Sequence, residues 1–301
     1  MDMGSKILRI QAILYNNDSD ALARSIESME AAARYAAATL PDLGKVVLAY
    51  GDAGPERLDE GCISHLAALC GGALSLDYTY FDENTGYGRG HNMLAAAAEY
   101  DYVLLINPDI VFEPRCIARM LEEPFADPSI GIVEARQAPL EIPKYYDRKT
   151  GDTSWGTGAC MLVSAEAYRG VEGFDAESFF MYCEDVDISW RVRMLGRRVV
   201  YRPDAIAYHP KDISVQGCNV HTDFTRYYGA LTDMVMAHKW GNEELLQRHV
   251  AYFENEGDSI GKKALADYRE LEADGRLIPQ DDARTRFCKE FGDYPRYRFT
   301  L

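Results

Sequence analysis

A layered α/β domain on a largely parallel sheet is what this sequence predicts, and three observations predict it. Short apolar runs alternate with segments of helical periodicity from residue 7 onward; the loop after each run is rich in Gly, Asn, Asp or Pro; and the fourth run is apolar throughout. With 301 residues, 47% of them apolar, the chain can bury a large core as one elaborated domain or two small ones.

The first strand is Ile7 to Tyr15, ending in Asn16-Asn17-Asp18, after which Leu22, Ile26, Met29 and Ala33 recur at helical spacing. Lys45 to Tyr50 forms a second strand, closed by the turn-rich Gly51-Asp52-Ala53-Gly54-Pro55 and followed by a helix around Ile63 to Leu69. Leu74 to Phe81 reads as a third strand, broken by a loop over Asn84 to Gly90, with an Ala-rich helix from Asn92 to Tyr100. Tyr102 to Ile106 is wholly apolar, as a central strand buried on both faces must be. In such sheets ligands sit beyond the carboxyl ends of the strands, so these loops are where chemistry is expected.

Composition excludes several classes of partner. A formal net charge of −16 argues against nucleic acid, whose phosphates need a concentrated positive field. No run approaches the roughly 20 apolar residues needed to span a bilayer, and MDMGSK leads into a strand rather than a secretion signal. The expectation is a cytoplasmic protein, peripheral at most to the inner face of a membrane. Seven cysteines, at 62, 70, 116, 160, 183, 218 and 288, include no CxxC pair and read as reduced thiols.

Three segments point to chemistry. Asn107-Pro108-Asp109 follows the buried fourth strand directly, where an aspartate serves as a turn residue, a cap or a ligand. The glycines at 86, 88 and 90 fail the dinucleotide fingerprint, because their spacing is wrong and they follow the third strand instead of the first. They read either as a loop in which backbone approaches a ligand or as a plain turn. Most informative is Gly173 to Arg191, which places acids at 184, 185 and 187 at the start of an amphipathic helix, beside an aromatic run. Acids in a first helical turn also serve simply as partners of the helix dipole.

Taken in order, Tyr15-Asn16-Asn17, Asn84-x-Gly86-x-Gly88-x-Gly90-x-Asn92, Asn107-Pro108-Asp109, Gly156-Thr157-Gly158-Ala159, Gly173-Phe174-Asp175, Glu184-Asp185-Val186-Asp187 and Tyr208-His209 resemble family 2 glycosyltransferases of the GT-A fold. Within that family the chain is similar to the non-processive polysaccharide enzymes that include many rhamnosyltransferases. The resemblance covers about residues 7 to 210. It implies a GT-A catalytic domain over 1–211, with a nucleotide-sugar half to about 110 and an acceptor half beyond it, and a helical extension over 212–301.

The resemblance also implies roles. Asp109 would ligate Mn²⁺ or Mg²⁺ on the diphosphate of a nucleotide sugar, with His209 as a further ligand or as a structural residue ending a strand. Asp185 would be the base that deprotonates an acceptor hydroxyl for inverting, in-line attack, its pKa raised by Glu184 and Asp187 and lowered by the helix N-terminus. Tyr15, Asn17, Asp52, Asn84, Gly86, Gly90, Asn92 and Asn107 would line the donor. Trp155, Gly158 and Glu184 would line the sugar and acceptor, Trp155 by stacking on a ring unless it belongs to the core. The usual Asp-Asn or Asp-x-Ser turn after the second strand is replaced by Gly51-Asp52-Ala53, which shifts the base-reading carboxylate by one place. The Gln-x-x-Arg-Trp signature and membrane spans of processive synthases are missing from the sequence, so single-sugar transfer is expected, from dTDP-rhamnose or a UDP-hexose to a saccharide or lipid-linked acceptor.

Beyond residue 211 the periodicity is helical, over Tyr227 to Trp240 and Glu244 to Phe253, with Asp274 to Leu301 expected as a loosely attached tail. These helices either pack beneath the acceptor side or form a homodimer interface or a peripheral membrane contact. Two other functions compete with transfer. A dinucleotide-dependent oxidoreductase needs a Gly-rich turn after the first strand, where this chain has Tyr15-Asn16-Asn17. A nucleotide-sugar-binding protein without turnover would have no need of both Asp109 and Asp185.

Overall fold

The computed structural model describes residues 5–140, 144–210 and 222–291. The N-terminal residues before Ser5, Cys218, the expected domain boundary near 211 and the tail beyond 291 lie outside them.

The first half alternates as expected. It runs β1 (Lys6–Leu14), α1 (Ser19–Thr39), β2 (Leu43–Asp52), α2 (Glu60–Ala68), β3 (Ser75–Tyr80), α3 (Gly86–Ala96) and β4 (Tyr102–Ile106). Asp18 caps α1 by accepting from the Ala21 amide at 3.0 Å, and Leu22, Ile26, Met29 and Ala33 are buried against the sheet. The helix α3 begins at Gly86, earlier than the sequence suggests, because its glycines are required by close packing. A Cβ at Gly86 would lie 2.4 Å from the Phe180 carbonyl, and one at Gly90 would lie 2.8 Å from Ile13 Cδ1.

The second half comprises β5 (Val111–Phe112), α4 (Cys116–Ala126), β6 (Ile130–Ala138), β7 (Cys160–Ser164), α5 (Ala165–Gly170), α6 (Glu184–Met194) and β8 (Arg198–Tyr208). Among the described residues, eight strands join one sheet in the order β3-β2-β1-β4-β7-β6-β8-β5. From β3 to β4 the pairing is parallel, but β7 enters antiparallel between β4 and β6, and β5 pairs antiparallel with β8. The parallel expectation therefore holds from β1 to β4 and gives way to a mixed sheet beyond β4. Because β7 reverses twice over, β4, β6 and β8 point the same way. Their carboxyl ends share one edge with those of β1 and β2 and with the start of β7.

Among the described residues four helices follow, α7 (Asp223–Lys239), α8 (Glu243–Asn255), α9 (Ser259–Ala273) and α10 (Asp282–Phe291). They bury Met234, Trp240, Leu245, Ala264 and Tyr268 in one cluster with Trp155, Phe179, Val186 and Trp190 of the sheet domain. Trp190 and Trp240 meet edge to face, with ring centroids 5.0 Å apart. The last helix is not a loose tail, since Cys288 is buried and the Phe287 ring packs on both tryptophans. No helix among the described residues is long and apolar enough to cross a membrane.

Candidate active site

Strand register brings the expected residues to the shared edge. Leu14 pairs with Asp52, and the Ala53 amide donates to the Leu14 carbonyl at 2.9 Å, so Tyr15 and Asp52 stand side by side. Tyr15 is 52% exposed, with its amide held by the Asn17 side chain at 2.8 Å. Asp52 is buried and accepts from the Gly54 amide at 3.0 Å and from the Tyr78 hydroxyl at 2.5 Å, an arrangement that shapes the loop between β2 and α2. The exposed Asn84 accepts from the Gly86 amide at 3.1 Å, at the mouth of α3.

Asn92 is engaged differently from its neighbours in the motif. Its Oδ1 accepts from the Phe174 amide at 2.9 Å and the Tyr168 hydroxyl at 2.7 Å, while its Nδ2 donates to the Phe174 carbonyl at 2.8 Å. The side chain thus braces the Gly173-Phe174 turn, where Gly173 adopts a positive φ of 74°.

At the end of β4, Ile106 pairs with Cys160, and the Asn107 amide donates to the Ala159 carbonyl at 3.1 Å. The chain then turns through Pro108 to Asp109. Opposite it, β8 delivers His209, whose amide donates to the Ala138 carbonyl at 2.9 Å. His209 Nε2 lies 3.7 Å from Asp109 Oδ1 and 3.1 Å from Asn107 Nδ2, and Nδ1 lies 3.4 Å from Gln137 Oε1. In the tautomer that donates from Nδ1 to Gln137, the Nε2 lone pair accepts from Asn107 Nδ2 and stands beside Asp109.

This pair fits a divalent ion. A separation of 3.7 Å is too long for a hydrogen bond but suits two ligands that each stand ~2.1 Å from one cation. The carboxylate oxygen suits Mg²⁺ and Mn²⁺ alike, and the imidazole favours the transition ion. No cluster of three or more His, Cys, Asp or Glu that could hold a metal occurs among the described residues. Two protein ligands leave room for phosphate oxygens and water, the arrangement typical of ions that arrive with a nucleotide.

On the other side of the β4–β7 junction stands Asp185, in the first turn of α6. Its Oδ2 accepts from the Gly158 amide at 2.9 Å and its Oδ1 from the Val186 amide at 2.8 Å. Gly158 is the residue before Ala159, so the contact that holds Asp185 is one residue from the contact that holds Asn107. The fit is close, since a Cβ there would meet the Tyr87 hydroxyl at 3.0 Å and the Asp185 Cβ at 3.4 Å. That hydroxyl donates to the Gly158 carbonyl at 2.6 Å.

Burial pushes the Asp185 carboxyl above the ordinary carboxylate range, against the opposing pull of the Gly158 amide and the Lys144 charge. Glu184, buried beside it, is pushed well above that range by burial first and by the Asp185 charge second. Desolvation is therefore the leading cause for Asp185. The expected repulsion from Asp187 is blunted, because Lys239 Nζ stands 2.6 Å from Asp187 Oδ1 and Arg191 Nε stands 2.7 Å from its Oδ2. Trp155 is buried in the cluster shared with the C-terminal helices, with Lys144 Nζ 3.7 Å above its ring. The sequence reading missed Lys144, Glu134, Ser189 and Tyr87. Tyr87 and Ser189 lay inside segments that had drawn notice, whereas Lys144 and Glu134 did not.

No protein-family model matches the chain. By sequence it is similar to the rhamnosyltransferase WbbL of Escherichia coli, at 28% identity over 48% of this chain and 67% of that protein. It is also similar to the N-acetylglucosaminyl-diphospho-decaprenol L-rhamnosyltransferase of Mycobacterium tuberculosis, at 29% identity over 42% of this chain and 56% of that one. The chain thus spans between about half and two thirds of the length of these curated relatives. By structure it resembles a mannosyltransferase from Pyrobaculum calidifontis solved with GDP-Man and Mn²⁺, with a TM-score of 0.57 and 15% identity over 95% of this chain and 79% of that one. GalNAc-T7, solved with UDP, GalNAc and Mn²⁺, gives a TM-score of 0.62 and 12% identity over 95% of this chain and 57% of that one. The fold is that of the GT-A glycosyltransferases, and the relatives found by sequence are glycosyltransferases as well.

Proposed function

We propose that this chain, similar in sequence to rhamnosyltransferases and built on the GT-A fold, moves a single sugar from a nucleotide diphosphate donor to a hydroxyl of a saccharide or lipid-linked acceptor, with inversion. The observation that carries the reading is the pairing of Asp185 with Asp109 and His209 across one sheet edge, through the adjacent Gly158 and Ala159.

Each residue has a definite part. Asp185, held on both oxygens by backbone amides, takes the proton of the acceptor hydroxyl as the acceptor oxygen bonds to the anomeric carbon. The bond from that carbon to the diphosphate oxygen breaks in the same step, and its electron pair leaves with the diphosphate. Asp109 and His209 would hold a divalent ion, Mn²⁺ in preference to Mg²⁺, which when bound would neutralise charge on the departing diphosphate. Tyr15, Asn17 and Asp52 line the nucleoside end, Asn84 and the start of α3 line the diphosphate side, and Glu184, expected to line the acceptor, is instead buried behind Asp185. The donor proposed first is dTDP-rhamnose, in keeping with the similarity to two rhamnosyltransferases, and a UDP-hexose is second.

The test is a thermal-shift panel of dTDP, UDP, GDP and NAD⁺, each with and without Mn²⁺, because a ligand that binds only the folded chain raises Tm. One nucleoside diphosphate should shift wild type and do so more strongly with Mn²⁺. Asp109→Ala should lose the metal-dependent part, while Asp185→Asn should keep the shift and lose transfer by ~10²-fold or more. A shift with NAD⁺ alone, insensitive to metal, or full activity in Asp185→Asn, overturns the reading.

A further inference from the structure

Beneath the proposed base lies a buried ionic cluster that the transfer step as described above does not use. Lys144 is fully buried, and its Nζ donates to Glu134 Oε1 at 2.7 Å and to Thr157 Oγ1 at 3.2 Å. Thr157 Oγ1 in turn donates to the same Glu134 oxygen at 2.7 Å. Lysine is among the residues least often buried without a partner, and the desolvation of such a pair is repaid only by close geometry. Here the ammonium is also seated on the Trp155 ring at 3.7 Å.

The cluster grips a segment that reaches Asp185 from both sides. Thr157 sits between two glycines, each tied to that residue. The Gly158 amide donates to its carboxylate at 2.9 Å, and the Gly156 amide donates at 3.1 Å to Ser189 Oγ, which donates to the Asp185 carbonyl at 2.6 Å. Fixing Thr157 therefore fixes both amides. Both glycines are closely packed, since a Cβ at Gly156 would press on Met161 Sδ at 3.0 Å.

We propose that Lys144, paired with Glu134 and seated on Trp155, is a positioning residue for the transfer reaction, locking the Gly156–Gly158 segment that holds Asp185. The proposal rests on the reading of Asp185 as the base. A second, electrostatic consequence follows from the same placement. The groups facing Asp185 are Glu184 beside it, the Tyr87 hydroxyl across the segment, and Lys144 and Glu134 beneath. Of the buried pair, the lysine charge lowers the Asp185 pKa and the glutamate charge raises it. Breaking the pair from either end should thus move Asp185 in opposite directions.

The experiment is a ¹³C carboxyl titration of Asp185, its resonance identified by its loss in D185N, in wild type, K144M, K144R and E134Q. It is run beside dTDP release from dTDP-rhamnose over the same pH range. The Asp185 pKa should rise by roughly half a unit or more in K144M, fall comparably in E134Q and stay in place in K144R. Turnover in K144M should drop about tenfold or more in kcat with donor KM little changed, and K144R should recover much of it. Unmoved resonances in both K144M and E134Q, or K144R shifted and impaired as much as K144M, would overturn the inference. If K144M does not fold, the downward shift in E134Q and the unshifted K144R decide the matter. Full turnover in D185N alongside shifted resonances would instead remove Asp185 as base, and the positioning role would fall with it.

Discussion

The Glu184 side chain is 6% exposed, and its Oε2 has no hydrogen-bond partner among the described residues. An unfolded glutamate ionises near pH ~4.3, whereas the folded chain holds this proton well above that. Between the two values the native state binds more protons than the unfolded state, so the contribution to stability is full below the unfolded pKa and is lost as pH rises through the folded one. Glu184→Gln removes that loss. The variant should melt above wild type at pH 7 and together with it near pH 4, and a gain of about 1 kcal/mol would appear as roughly 2 °C. Identical melting curves at both pH values would contradict the buried-acid account. Residues of this kind were partly legible in the sequence. Asp109 stands just past a wholly apolar strand and Asp185 in the first turn of a helix, positions that also suit a turn or a cap, and it was the order of the motifs around them that marked each. Lys144 gave no signal, because it lies in an irregular stretch without periodicity and a lysine is presumed to face water.

Among the elements, α6 and α7 are joined by charge as well as by aromatic packing. Lys239, 3% exposed, reaches Asp175 Oδ2 and Asp187 Oδ1 at 2.6 Å each, and the Trp240 indole donates to Asp187 at 3.0 Å. Lys239→Met would leave two carboxylates facing apolar surroundings, Asp187 keeping Arg191 and Asp175 keeping the Ser178 amide. A loss of about 3 kcal/mol is expected in urea denaturation, narrowing at acid pH as the carboxylates protonate. No change in midpoint would mean the lysine is dispensable to the junction. This contact could not be read from sequence, where Asp187 appeared only as one more acid beside Asp185. The opposite error occurred at α3. Three glycines in five residues signal a loop when helix propensity is counted alone, but the approach of Phe180, Phe174 and Ile13 excludes any side chain there, and packing overrides propensity.

For the molecule as a whole, the C-terminal helices and the sheet domain share one core cluster, and Trp190 of α6 is covered by Trp240 and Phe287. A chain ending before Asp223 would expose that indole and strip Lys239 from Asp187. It should therefore fail to show a cooperative melt, whereas two separable domains would leave the shorter chain with a transition of its own in calorimetry. The alternation that defines the sheet was legible because β1, β2 and β4 are apolar runs bounded by turn residues. The mixed pairing beyond β4 was not, since strand direction depends on which partner a strand meets and not on its own composition. The antiparallel entry of β7 has a consequence for how such a molecule diversifies. What a reversed strand offers the site is the segment leading into it, so residues 145–154 can vary while Lys144 and Gly156 to Ala159 keep their contacts and β1, β2 and β4 keep their register. On the proposed function, acceptor preference is then separable from donor preference, and a chimaera in which that stretch alone is transplanted would inherit the acceptor preference of its source.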